Sequence, residues 1–222
     1  KVPDSELVLR AFAAAFDYYG EQFYINCYGH FRGDPGLVGE RAVQINQLYG
    51  KFVKQFPCMG TGLAYMDPVH DLQPHKLMKY QLMEIFAAGV HGFHLFPWRD
   101  VDLLDLKFAA EAIHMILPVE DIVIDGKLID SEAISVSEGR THGVSLKEES
   151  VIIVSDYTVI RDGPKAVTFH YAGLNRSLNV IDLWTKKKIG ELSPERKDLE
   201  LHLADECARL LYVGPKTGLA PR

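Results

Sequence analysis

Two textures of hydrophobic patterning divide the chain near residue 118. Before it, apolar residues recur at helical spacing in long stretches separated by short aromatic and β-branched runs. After it, short alternating runs are separated by turn residues. Leu7, Val8, Ala11, Phe12, Ala15 and Phe16 share one helical face and stop before Gly20. Gln22 to Tyr28 reads as a strand. Asp34-Pro35 reads as an N-cap followed by proline at the first helical position, and the face Ala42, Ile45, Tyr49, Phe52, Val53 and Phe56 extends that helix to Pro57. Met59 to Met66 is the next strand. Pro74 opens a helix that is apolar nearly all round and ends at Gly89, which predicts deep burial. Val90 to Trp98 is the third strand, and Asp100 caps a last helix, Val101 to Leu117, ended by Pro118.

The order α-β-α-β-α-β-α implies a parallel sheet with crossover helices. Three strands do not close into a barrel, and a full (β/α)8 barrel takes about 250 residues. Residues 1–118 are therefore expected to be the C-terminal part of a (β/α) barrel. The rest is expected to precede Lys1, in a separate chain or a missing precursor segment. A small open α/β sheet is the alternative. In residues 119–222, Ile122 to Ile129 is predicted to form a hairpin about Asp125-Gly126. Val151 to Val154, Lys165 to Tyr171, Leu178 to Trp184, Leu199 to Leu203 and Ala208 to Val213 are predicted strands, together forming a small antiparallel β-sandwich. The fold class expected is α/β followed by all-β.

Composition narrows this picture. The 222 residues are 47% hydrophobic and 24% charged, ordinary for a globular protein, and the net charge of −6 argues against a nucleic-acid partner. No run of about 18 apolar residues suggests a membrane span. Cys27, Cys58 and Cys207 form no CxxC and read as buried thiols. Asn175-Arg176-Ser177 is an N-glycosylation triplet, which leans toward secretion. No cofactor and no metal are expected: His91 and His94, three apart on a strand, point to opposite faces, and Gly60-Thr61-Gly62 lies inside a strand without the rest of a dinucleotide fingerprint. Arg32-Gly33-Asp34 reads as a strand-to-helix loop, and Lys186-Lys187-Lys188 as a solvated turn.

The segment Lys79 to Lys127, KYQLMEIFAAGVHGFHLFPWRDVDLLDLKFAAEAIHMILPVEDIVIDGK, resembles the last helix-strand-helix of barrel glycoside hydrolases of the β-galactosidase-like kind and their exit into an antiparallel domain. Asp182-Leu183-Trp184-Thr185 and Leu210 to Pro215 resemble strands of such appended domains. The resemblance makes the three strands the sixth, seventh and eighth of the barrel.

In such a barrel the site lies at the C-terminal ends of the strands. That selects His30, Arg32 and Asp34 after the sixth strand. Tyr65, Asp67 and His70 follow the seventh, and Trp98, Arg99, Asp100 and Asp102 the eighth. Glycoside hydrolysis generally uses two carboxyl groups across the scissile bond. Asp67 is the catalytic candidate, with a turn or cap role before Pro68 as its structural alternative. Trp98 is expected to stack on a sugar ring and Arg99 to hold hydroxyls or a carboxylate. Asp100 and Asp102 double as cap and first-turn acid of the following helix. With Tyr65 and His30 these residues form the expected carbohydrate-binding set.

The sequence departs from the family in one respect. The resembled enzymes carry a glutamate at the end of the seventh strand, where this chain reads Tyr65-Met66-Asp67, and their acid/base glutamate follows the fourth strand, outside this chain. The expected function is thus hydrolysis of a glycosidic bond, with part of the site supplied from elsewhere. The alternatives are an inactive barrel that binds carbohydrate or serves as a structural protein, and a small α/β binding module unrelated to sugars.

Overall fold

A computed structural model describes residues 18–19, 22–24, 34–49, 54–55, 58–60, 76–96, 103–204 and 206–219. The first part contains β1 (Tyr18–Tyr19), β2 (Gln22–Tyr24), α1 (Pro35–Tyr49), β3 (Lys54–Gln55), β4 (Cys58–Gly60), α2 (Lys76–Ala87), β5 (His94–Phe96) and α3 (Leu103–Ile116). Strands β2, β4 and β5 form a parallel sheet in that order, and β1 pairs in parallel with β3. Among the described residues the strand-helix alternation read from the sequence is present from β2 to α3; the first expected helix, through Leu7 to Phe16, lies outside them.

The helix expected to run to Pro57 is shorter. Lys54 and Gln55 lie in a strand paired with Tyr18 and Tyr19, so the helical face drawn through Phe52, Val53 and Phe56 does not continue to Phe56. Gly50, which follows the last helical residue Tyr49, is a poor helix former. Val90 to Phe93, expected as strand, has no regular structure, and the strand begins at His94.

α2 is buried from Leu77 to Ala87, as its all-round apolar character predicts. It lies between α1 and α3 on its flanks and the antiparallel strands on its outer side. α1 contributes Val38, Ala42 and Ile45 at helical spacing, and α3 contributes Ala109, Ala112 and Met115. The small alanines let α3 approach closely. Gly89, at φ +75, ends the helical run in the left-handed conformation that glycine adopts without strain.

After α3 a 3-10 turn (Leu117–Val119) leads into α4 (Glu120–Asp125), which overturns the expected hairpin. Gly126 is extended, at φ −72 and ψ 162, and not in the positive-φ state of a type I′ turn. Ile122 and Val123 are instead buried on a helix with Glu120 and Asp121 in its first turn, where acidic residues favour the helix dipole.

The antiparallel strands are β6 (Lys127–Leu128), β7 (Ile134–Val136), β8 (Arg140–Leu146), β9 (Glu149–Ser155), β10 (Lys165–Tyr171), β11 (Leu178–Asp182), β12 (Lys187–Leu192), β13 (Asp198–Leu203) and β14 (Ala208–Gly214), with a one-turn helix α5 (Val159–Asp162) after β9. They form a six-stranded sheet, β12-β11-β14-β9-β8-β6, and a three-stranded sheet, β13-β10-β7. β7, β8 and β12 were not foreseen: ISV is only three residues long, and RTHGVSL and KKIGEL lack a clean apolar alternation. β9 is buried from Ser150 to Ser155, and its unbroken apolar run Val151 to Val154 is of the kind that marks a strand covered on both faces. β13 alternates buried Leu199, Leu201 and Leu203 with exposed partners, as a sheet with one wet face requires. The Leu199 side chain packs where a Cβ on Gly190 of β12 would stand, and the hydroxyls of Ser150 and Tyr171 lie 3.1 Å apart, so the two sheets meet.

Candidate functional site

The parallel sheet fixes where chemistry can gather. Gln22, Cys58 and His94 are paired across it, then Phe23, Met59 and Leu95, then Tyr24, Gly60 and Phe96. The last row forms one edge: the three strands end side by side, and equal intervals of chain separate them. The segments that leave this edge contain every site residue expected from the sequence. His30, Tyr65, Asp67, Trp98, Arg99, Asp100 and Asp102 themselves lie outside the described residues, as do Arg32 and His70.

Asp34 is described and does what its position before Pro35 predicts. Its Oδ1 accepts a hydrogen bond from the Gly36 amide at 2.9 Å, capping α1. It also accepts from Arg140 of β8, with Nη1 2.9 Å from Oδ2, while Arg140 Nε donates to Glu40 at 2.7 Å. This ion-paired trio ties the start of α1, immediately beyond the β2 segment, to the antiparallel sheet.

A second polar junction lies deeper. Glu84 of α2 is fully buried. Its Oε1 accepts from Ser155 Oγ at 2.8 Å and from the Tyr157 hydroxyl at 2.7 Å. His142 Nε2 stands 2.9 Å from the Glu84 carbonyl oxygen and 3.5 Å from Oε2. Among the described residues Oε2 has no hydrogen-bond partner. Burial pushes the Glu84 carboxyl above its ordinary range, against the pull of His142 and the two hydroxyls. Burial and the facing Glu84 likewise raise the Tyr157 hydroxyl.

A third junction joins α2 to the β13–β14 loop. Lys79, 2% exposed, reaches Glu206 at 3.1 Å and lies 4.4 Å from the centre of the Trp184 ring. Tyr80 donates to Glu206 at 3.0 Å, and Lys76 pairs with it at 2.9 Å. Burial raises the Glu206 carboxyl, but hydrogen bonds from Lys76 and Lys79 outweigh it and hold it below the ordinary range. These junctions fasten the helices to the antiparallel strands; none is an open catalytic cleft. Pattern reading missed them, although the buried charges of Lys79 and Glu84 within a largely apolar helix were the visible signal.

Among the described residues no group of His, Cys, Asp and Glu side chains is placed to hold a metal ion. His91, considered for a metal pair, donates from Nε2 to the Ile124 carbonyl at 3.0 Å.

No protein-family model and no curated protein matches this chain. Solved structures do. The α-galactosidase I of Mortierella vinacea superposes with a TM-score of 0.58 at 12% identity, over 96% of this chain and 56% of that one. A Bacillus halodurans C-125 protein assigned as an α-N-acetylgalactosaminidase gives 0.43 at 10% identity, over 66% of this chain and 33% of that one, a likeness too slight to define a fold. The chain thus has a glycoside hydrolase-like fold and spans about half the length of the Mortierella enzyme. The likeness reaches the glycoside hydrolases through an α-galactosidase, a different member from the β-galactosidase-like kind that Lys79 to Lys127 resembles.

Proposed function

We propose that this chain is the C-terminal part of a (β/α)8-barrel glycoside hydrolase, residues 1–118, with an appended antiparallel β-sandwich, residues 119–222, and that the whole protein hydrolyses a glycosidic bond. The observation that carries the reading is the common edge at Tyr24, Gly60 and Phe96. His30 follows the first strand, Tyr65 and Asp67 the second, and Trp98, Arg99, Asp100 and Asp102 the third, so the chain leaves one rim at all three places. The likeness to an α-galactosidase over 96% of the chain supports the same class.

In this reading Asp67 is one of the two carboxyl groups that the reaction needs, and aspartate serves that chemistry as well as glutamate does. Trp98 offers an apolar face to the sugar ring. Arg99, Tyr65 and His30 hydrogen-bond hydroxyls, and Asp100 and Asp102 hold further hydroxyls at the start of the last helix. The remaining strands supply the second carboxyl group. Two observations support further barrel beyond β5. It pairs only with β4 among the described residues, and Leu103 and Leu106 stand 83% and 48% exposed on α3, on a flank that another helix would cover.

Asp67→Asn in the whole protein tests this on chromogenic α- and β-galactosides, glucosides and N-acetylgalactosaminides. Turnover should fall by about 10²-fold or more. An unchanged rate removes Asp67 from the mechanism. A second reading, a barrel that binds carbohydrate without hydrolysing it, is favoured by Tyr65-Met66-Asp67 standing where the resembled enzymes have glutamate. Sugar binding without turnover of any matching substrate selects it.

A further inference from the structure

Between α1 and strands β6–β8 lies an open groove of about 380 Å³, within the size range of small-molecule sites. None of its lining residues belongs to the segments that leave the rim: they come from α1, from β6 and the turn after it, from Ile134 of β7, and from β8. Val43, Leu128, Ile129 and Ile134 supply its apolar surface. Its polar groups come from α1 (Glu40, Gln44 and Gln47), from Ser131 and from β8 (Arg140, Thr141 and His142).

The character of these groups selects a ligand class. Arg140 is already ion-paired with both Asp34 and Glu40, and the His142 ring faces the Glu84 carboxyl at 3.5 Å, so the groove holds no surplus positive charge to attract a phosphate or carboxylate. Gln44 and Gln47, one helical turn apart, are exposed on α1, and the amide of each offers a donor pair and an acceptor. A wholly apolar ligand would leave them unmatched. A neutral molecule with hydroxyls on its rim and C–H groups on one face satisfies both halves of the groove, and a pyranose ring is such a molecule.

We propose that this groove is a second saccharide-binding site, distinct from the rim, which takes a mono- or disaccharide between the amides of Gln44 and Gln47 and the apolar surface of Leu128, Ile129 and Ile134. The choice of sugar rests on the glycoside hydrolase reading, whereas the groove and its neutral polar character do not. Through Arg140 and Asp34, a sugar held here would brace α1 against the antiparallel sheet, next to the segment that carries His30.

The test titrates galactose, N-acetylgalactosamine and melibiose into the whole protein, read by saturation-transfer NMR and calorimetry, with turnover measured in parallel. Wild type and Asp67→Asn should both bind. Gln44→Ala/Gln47→Ala, on an exposed helix face, should weaken binding at least about tenfold, equivalent to about 1.4 kcal/mol, with unchanged melting temperature and unchanged kcat. Binding undiminished in that double variant overturns the proposal, as does no saturable binding beyond that abolished by Trp98→Ala. The two readings fail separately: turnover without groove-dependent binding removes the groove alone, and groove-dependent binding without turnover removes the hydrolase.

Discussion

Gly39→Ala sets two effects of opposite sign against each other. Gly39 is buried in the interior of α1, where alanine is ordinarily better for a helix by about 1 kcal/mol. Packing opposes that gain. A Cβ at Gly39 would stand 2.2 Å from Glu84 Oε2, 2.7 Å from His142 Cε1 and 3.1 Å from Glu84 Cβ. Glu84 cannot swing aside cheaply. It is fully buried, and its other oxygen is held by Ser155 and Tyr157. Overpacking of this kind costs about 1–3 kcal/mol, and each neutral hydrogen bond lost from the junction costs about 1 kcal/mol more. The clash wins, with a net loss of about 1–3 kcal/mol. For a chain of this size that lowers Tm by roughly 2–4 °C for each kcal/mol. Urea midpoints and calorimetry measure it. Glu84→Ala should remove most of the penalty of the added methyl group, so a double-mutant cycle should show coupling above about 0.5 kcal/mol. Stabilisation of the wild-type background by Gly39→Ala would refute the reasoning, because it would mean that the junction is not closed over Gly39.

Glu84 also predicts a pH dependence. Its folded carboxyl titrates above its unfolded value, near 4.5, so the native state binds the proton more tightly than the unfolded chain does. This contribution is fully present below the unfolded value and is lost as pH rises from there through the folded one. Asp156, Glu149 and Glu206 have lowered carboxyls and act in the opposite sense, so the difference between wild type and Glu84→Gln isolates Glu84. The stability of wild type relative to Glu84→Gln, read from urea midpoints, should therefore fall as pH rises from about 4 toward neutrality; a difference that does not change with pH contradicts the assignment. Lys186, in a positive-φ turn after β11, donates from Nζ to the His114 and Met115 carbonyls at 3.1 Å each, at the C-terminus of α3. Lys186→Ala should cost about 0.5–2 kcal/mol, read from thermal melts at low and high salt; no change would mean that the contact is solvated away.

Strong periodicity was the part of the fold that the sequence made legible. α2 was readable because a helix apolar on every side must be enclosed, and β9, β10 and β13 because their apolar residues run together or alternate. The misreadings fall where local propensity and tertiary context disagree. Ile122-Val123-Ile124 before Asp125-Gly126 has strong β character, yet Glu120 and Asp121 start a short helix whose apolar face the neighbouring strands bury. β8, with Arg140, Thr141 and His142 in succession, carries no strand pattern because its side chains serve the junctions with Asp34, Glu40 and Glu84. Those junctions join residues far apart in sequence, so no spacing announces them. Of the candidate site, the strands that carry it and their common edge were legible. Asp67, Trp98 and Asp102 themselves lie outside the described residues.

The central claim is that the edge formed by Tyr24, Gly60 and Phe96 is the rim of a sugar-cleaving pocket. A crystal structure of the whole protein with an iminosugar transition-state mimic tests it most directly. The mimic should lie beyond that edge, with its ring against Trp98 and a charged contact to Asp67. A mimic bound elsewhere, with Asp67, Trp98 and Asp102 facing different sides of the molecule, would contradict it.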